Sequence, residues 1–187
     1  APPEYVAADL LSQAEHDWEA SAALITPSLG LASEVQKQVA EQLEKLSTAD
    51  IAAAALERWG LIVITENLDQ ALELANVFAP EHLELLVDSP WDCLGKIRHA
   101  GAIFLGKHAP EPIGDYIAGP NHILPTNGTA RFSSPLSTHD FVKRSSVIYY
   151  TAAGLRKHGP AAVEIANREG LSAHAKAIQI RLEGEIK

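Results

Sequence analysis

Four short apolar runs, Ala22–Thr26, Leu61–Ile64, His82–Val87 and Ala102–Leu105, alternate with stretches of helical length, and this alternation restricts the fold more than any other feature of the chain. A run of four to six apolar residues suits one buried strand, and a helix-length crossover returns the chain to the same sheet in parallel. The intervening segments carry the other period. Pro3 opens a helix with Glu4 in its first turn and Val6, Leu10 and Leu11 along it. Ser33–Leu46 sets Val35, Val39, Leu43 and Leu46 on one stripe, with Glu and Lys opposite. Asp50–Trp59 forms a second helix closed by Gly60, and Asn67 caps a third that carries Leu68, Ala71, Leu72, Leu74 and Ala75. Pro90–Ile97 reads as a short helix. The fold class is therefore α/β, a mostly parallel sheet flanked by helices.

From Gly106 to Thr138 the alternation stops. Five prolines and four glycines without periodicity predict a long ordered loop, the kind that carries function on α/β scaffolds. Ser145–Tyr150 reads as one more strand. Thr151–Lys187 reads as helix, broken near Gly159-Pro160 and again at Gly170, a tail that nothing ties to its own chain. The expected organisation is a sheet domain over residues 1–136 and a mostly helical dimerisation segment over 137–187.

Composition removes several function classes. Fifteen Lys and Arg against twenty-four Asp and Glu leave a net charge of -9, and the nearest approach to a basic patch is Lys143-Arg144. Such a chain repels a phosphate backbone and an anionic membrane surface, so no nucleic acid and no membrane is expected as a partner. Its apolar runs fall far short of the roughly 20 residues that span a bilayer. Cys93 is the only cysteine, which excludes an internal disulfide and a thiolate zinc module, so a metal would need His, carboxylate or amide ligands. The start, Ala1-Pro2-Pro3, has no signal-peptide character, and the absence of Met marks the chain as a portion of something longer.

Several residues could do chemistry. Gln13 and His16 share one face of the first helix and could reach one ion, although a polar helix surface has the same spacing. Glu81-His82, at the entry to a strand, could move protons or could be a solvated turn. Asp115 and His122 lie in the long loop, where turn chemistry would also explain Asp115 and Asn121. Glu111, just before Gly114-Asp115, is a weaker candidate for substrate contact. Glu169 and His174 flank the helix break at Gly170-Leu171-Ser172. Taken together, Gln13, His16, Asp115 and His174 make a plausible nitrogen and oxygen ligand set for Zn²⁺ or Mn²⁺. The remaining histidines, His99, His108, His139 and His158, read as solvated or locally hydrogen-bonded.

Six strings, in order along the chain, resemble histidinol dehydrogenase. They are Asp9-Leu10-Leu11-Ser12-Gln13-Ala14-Glu15-His16, Ala79-Pro80-Glu81-His82-Leu83, Ala100-Gly101-Ala102-Ile103-Phe104-Leu105-Gly106, Gly114-Asp115-Tyr116, Gly119-Pro120-Asn121-His122-Ile123-Leu124-Pro125-Thr126 and Glu169-Gly170-Leu171-Ser172-Ala173-His174. The resemblance implies an incomplete Rossmann-like αβα domain with a C-terminal helical extension, the C-terminal portion of an enzyme about twice this length. It implies zinc on Gln13, His16, Asp115 and His174, holding the amino and imidazole nitrogens of L-histidinol. It makes His82 the general base and Glu81 the group that activates water, and puts His122 and Glu169 in contact with substrate beside the ligands and His82.

The reaction so implied is oxidation of L-histidinol to L-histidine through the aldehyde with two NAD, in histidine biosynthesis. No Gly-x-Gly-x-x-Gly string occurs, so the NAD site is expected in the missing N-terminal part and the isolated chain is expected to be inactive. The resemblance further implies a homodimer in which the tail completes the neighbour's site. A cytoplasmic location is expected, or a plastid in a plant. Two other readings fit the residues: a non-catalytic dimerising module that binds metal or ligand, and a metal-dependent hydrolase needing only Glu81, an ion and water.

Overall fold

The computed structural model describes residues 1–184. Its first compact unit is Ala1–Phe141, and a second runs from Val142 onward. The first unit opens with helix α1 (Pro3–Ala14), whose proline start needs no donor and whose buried face is Val6, Ala7, Leu11 and Ala14. Strand β1 (Ala22–Thr26) leads into α2 (Leu29–Leu43). This helix begins ahead of the apolar stripe at Val35 because the Ser28 hydroxyl accepts a hydrogen bond from the Leu31 N–H at 3.2 Å and caps it there. Helix α3 (Ala49–Trp59) passes directly into β2 (Gly60–Ile64), and α4 (Leu68–Phe78) follows, its Asn67 cap accepting from the Gln70 N–H at 2.9 Å. Then come β3 (His82–Leu85), α5 (Pro90–Leu94) and β4 (Ala102–Leu105).

Every strand pairing is parallel. β1 pairs with β2 from Ala22↔Gly60 to Thr26↔Ile64, and β3 with β4 from His82↔Ala102 to Leu85↔Leu105. The parallel α/β arrangement thus follows the alternation in the sequence, but among the described residues it consists of two separate two-stranded sheets. Three apolar clusters hold the helices to them: Val6, Ala7 and Val35; Leu11, Ala14, Ala52 and Ala55; and Leu72, Leu85 and Cys93. Asn76, buried on α4, fixes the approach to β4: its amide donates to the Lys96 carbonyl at 2.8 Å and its oxygen accepts from the N–H groups of Arg98 and His99.

Three sequence expectations are corrected. The stretch Gly106–Thr138 contains helix α6 (Glu111–Tyr116) and a 3₁₀ turn at Thr129–Arg131. Pro110 and Pro112 begin α6 at positions that tolerate proline, and so short a helix shows no periodicity. Ser145–Tyr150 forms no strand: the segment has strand composition but no partner to bond, and Val147 is 93% exposed. Helix α7 (Ala152–Arg168) continues through Gly159-Pro160, a proline in its interior. Gly159 is buried where a Cβ would come within 3.2 Å of Ile178 and 3.3 Å of Leu182, so α8 (Ser172–Gly184) packs on α7 through it. The break at Gly170 is as expected, with φ +75° and the Leu171 N–H donating back to the Ala166 carbonyl at 2.8 Å.

Candidate active site

The site is built where α4 hands over to β3. Ala79 ends α4 in the left-handed region, at φ 52°, a conformation that costs a residue with a Cβ about 1–2 kcal/mol. Pro80 and Glu81 follow, and their carbonyls accept from the N–H groups of Gly101 and Ala102 at 2.9 and 2.8 Å. Gly101 allows that approach, since a Cβ there would lie 2.6 Å from the Glu81 carbonyl oxygen. His82 then begins β3 with its ring tilted against Phe104 of β4, the centroids 6.0 Å apart. Gly114 also lies against Phe104, where a Cβ would meet the ring at 2.6 Å. The glycine lets α6 press on that ring, which brings Glu111 and Asp115 to His82.

His82, Glu111 and Asp115 present ligand atoms within 4.8 Å of one another. His82 Nε2 lies 3.7 Å from Glu111 Oε1, and both atoms are shut off from solvent without a hydrogen-bond partner. Burial pulls the His82 pKa down, more than the neighbouring Glu81 and Asp115 carboxylates push it up, and His16 adds to the lowering. Burial, together with the charge and hydrogen bond of Asp115, raises the Glu111 carboxyl to about 7. Burial thus disfavours the charged form of both members, so the short separation is not that of a strong ion pair.

A second carboxyl supports the first. Glu84, two residues along β3, accepts the Glu111 N–H at 2.9 Å and so holds the first turn of α6. Burial and a hydrogen bond with Asp9 raise Glu84 to about 8, and burial also raises Asp9. The Asp9–Glu84 hydrogen bond and the Glu111 N–H on Glu84 thereby link α1, β3 and α6.

Six of the nine residues singled out from the sequence converge here, the weaker candidate Glu111 among them. Gln13, Glu81 and His82 line one cavity of about 750 Å³ together with Glu111. His16, just beyond α1, is close enough for its charge to act on both His82 and Glu111, and Asp115 hydrogen-bonds Glu111. His122 is exposed on its loop, beyond an Asx turn in which Asn121 accepts from the Ile123 N–H at 2.8 Å. Glu169 and His174 are exposed in the second unit, at the end of α7 and in the first turn of α8. Of the unassigned histidines, His158 lies 3.4 Å from the Tyr150 hydroxyl, a local contact. Asp9 and Glu84 were not singled out from the sequence; the only signal for Glu84 was an acid two residues beyond His82, on the same face of the strand.

Imidazole, carboxylate and amide groups around an unpartnered buried nitrogen fit a divalent ion of the zinc type, and no thiolate is present to close the coordination. Parallel strands and covering helices carry this site, which makes the chain an α/β protein with a His, Glu and Asp cluster at one strand edge that could hold a metal ion. The chain belongs to the histidinol dehydrogenase family, whose model matches residues 1–182. It is 59% identical to the histidinol dehydrogenase of Halalkalibacterium halodurans over 99% of this chain and 44% of that protein. It is 56% identical to that of Geobacillus kaustophilus over 98% of this chain and 43% of the relative. The crystal structure of histidinol dehydrogenase from Elizabethkingia anophelis, 37% identical, superposes with a TM-score of 0.94 over all of this chain and 43% of its own. The chain thus spans less than half the length of these relatives and matches their C-terminal portion.

Proposed function

We propose that this chain supplies the metal- and substrate-holding part of a zinc-dependent histidinol dehydrogenase, which oxidises L-histidinol through the aldehyde to L-histidine with two NAD. The observation that carries the reading is the buried, unpartnered His82 Nε2 beside Glu81, Glu111 and Asp115, with burial lowering the pKa of the ring. Zinc, when bound, anchors the amino and imidazole nitrogens of the substrate and leaves the reacting carbon free. Gln13, His16 and Asp115 would hold it from this unit, with His174 as the fourth ligand and Glu169 and His122 contacting substrate.

In the first oxidation His82 would take the hydroxyl proton, and NAD, when bound, would accept the carbinol hydride, so that the alcohol becomes the aldehyde. Water then adds to the aldehyde, with Glu81 taking a proton from it. The hydrate anion so formed would lose its remaining hydroxyl proton to His82 while a second NAD would accept the hydride, which leaves the carboxylate. A base used twice must return its proton to solvent between steps, and an imidazole whose pKa lies below its ordinary value releases it readily. NAD is bound by the part of the family's longer chain that this one does not match. We further read the protein as a homodimer whose second unit completes the neighbour's site, acting in the cytoplasm, or in the plastid if the source is a plant.

The test combines this chain with the N-terminal portion of the Halalkalibacterium halodurans enzyme. Two NADH per histidinol are expected, and His82→Asn lowers the rate by about 10²–10⁴-fold, the usual contribution of a general base. An unchanged rate in His82→Asn would contradict the reading.

A further inference from the structure

Next to the residues gathered around His82 lies a second set of polar groups, one structural period away from the first on each element. On α1, Asp9 precedes Gln13 by one helical turn and shares its face. On β3, Glu84 comes two residues after His82 and projects on the same side of the strand. On α6, the Glu111 N–H stands one turn before Asp115. Four residues of helix rise roughly 6 Å and two residues of strand roughly 6.5 Å, so the steps on the three elements match in length. Asp9, Gln13, His82, Glu84 and Glu111 all line one cavity.

The second set is joined through one side chain. Glu84 hydrogen-bonds Asp9 and accepts the Glu111 N–H at 2.9 Å. The latter bond answers a need local to α6. Pro110 stands at the N-cap without a side-chain acceptor, Pro112 has no N–H, and six residues are too few to sustain a helix by themselves. A carboxyl oxygen from the strand takes the first-turn N–H that the helix leaves open. The other hold on α6, Gly114 against the Phe104 ring, is apolar and non-directional; it brings the helix close without fixing where along the ring it sits.

We infer that Glu84, together with Asp9, is a positioning residue: the chain of hydrogen bonds from Asp9 through Glu84 to the Glu111 N–H sets the distance between the Gln13 side of the proposed zinc site and its Asp115 side. The inference rests on the zinc site proposed above. Glu84 acts through α1 and α6, whose next turns carry Gln13 and Asp115. What the position requires is reach, with one atom that accepts from the Glu111 N–H and a second that bonds Asp9. Glutamine meets both needs, since its oxygen accepts the N–H and its amide donates to Asp9. Aspartate keeps the carboxyl but is one methylene shorter, and alanine supplies neither bond.

Calorimetric zinc titration of the chain and of Glu84→Gln, Glu84→Asp and Glu84→Ala tests this, with NMR on the same samples free of zinc. Glu84→Gln is expected to bind zinc as the native chain does, and Glu84→Asp and Glu84→Ala at least roughly tenfold more weakly. NOEs between the His82 ring and the Glu111 side chain, which the 3.7 Å separation of Nε2 and Oε1 predicts, should persist in Glu84→Gln and vanish in the other two. Asp9→Asn, whose amide donates to Glu84, should match Glu84→Gln. Native zinc affinity and NOEs in Glu84→Asp would overturn the proposal, and this variant carries the test if Glu84→Ala does not fold. Equal losses in Glu84→Gln and Glu84→Ala would overturn it too, because charge and not reach would then be what matters. A native chain that binds no zinc would contradict the zinc reading instead, and the NOEs alone would decide whether Glu84 positions α6.

Discussion

His82 Nε2 and Glu111 Oε1 face each other at 3.7 Å, both sealed from solvent and neither hydrogen-bonded. Burial disfavours the charged form of each, setting the imidazole below its ordinary pKa and the carboxyl above it, at about 7. A neutral imidazole with a free nitrogen is the form that accepts a proton. Asp115 acts on both groups in the same direction, raising each. Asp115→Asn should therefore lower the pKa of His82 and that of Glu111 together, as read from ring and carboxyl chemical shifts in metal-free solution. Opposite movements of the two would show that Asp115 does not reach both.

Stability should fall as pH rises above the ordinary carboxylate range. Glu84, at about 8 in the fold against 4.5 when free, binds a proton that the unfolded chain has lost, and Glu111 behaves likewise up to about 7. The stabilisation is complete below pH 4.5, declines through the interval and is gone above about 8. Urea unfolding at several pH values should show this decline, and Glu84→Gln, which keeps a neutral side chain at all pH values, should reduce it. A pH dependence unaltered in Glu84→Gln would remove Glu84 as its source.

Asn76→Ala should cost about 2–3 kcal/mol, because three backbone groups of the turn before β4 lose their only described side-chain partner inside the fold. Asn76→Asp keeps the two bonds its oxygen accepts but buries a carboxylate against the Lys96 carbonyl, so it should cost at least as much near neutral pH and less at low pH, where the protonated acid can donate. Denaturant midpoints for the two variants give the comparison.

Gly114→Ala forces a methyl onto the Phe104 ring, and α6 must shift to admit it. A loss of about 1–3 kcal/mol is expected from the overpacking, and zinc affinity should fall further than stability because Asp115 moves with the helix. Calorimetric zinc titration beside thermal unfolding separates the two. A variant as unstable as expected but with unchanged zinc affinity would mean that Asp115 is no ligand.

Much of this was readable in advance. The cap at Asn67, the apolar runs that became β1 to β4, and the placement of Glu81-His82 at a strand entry all act through neighbours close in sequence, whereas the Ser28 cap that starts α2 early was missed. Glu111 and Asp115 could be noticed but not placed, because Gly114 against Phe104 and Gly101 against Glu81 are contacts between distant segments. The Asp9–Glu84 carboxyl pair was invisible for the same reason: nothing in the neighbourhood of either residue announces the other. Ser145–Tyr150 misled because strand composition forms a strand only where another edge accepts its hydrogen bonds. Pro160 misled because the packing of Ile178 and Leu182 on Gly159 sustains a helix that local propensity would end.

The central claim is that these residues hold zinc and histidinol together, with His174 supplied across a dimer. It is tested most directly by calorimetric titration of histidinol into the zinc-loaded chain, for the native sequence, Asp115→Asn and His174→Ala, over a range of protein concentrations. The account predicts zinc-dependent binding that strengthens with protein concentration and falls at least about tenfold in each variant. Binding that is independent of zinc, or that survives both substitutions at every concentration, would contradict it.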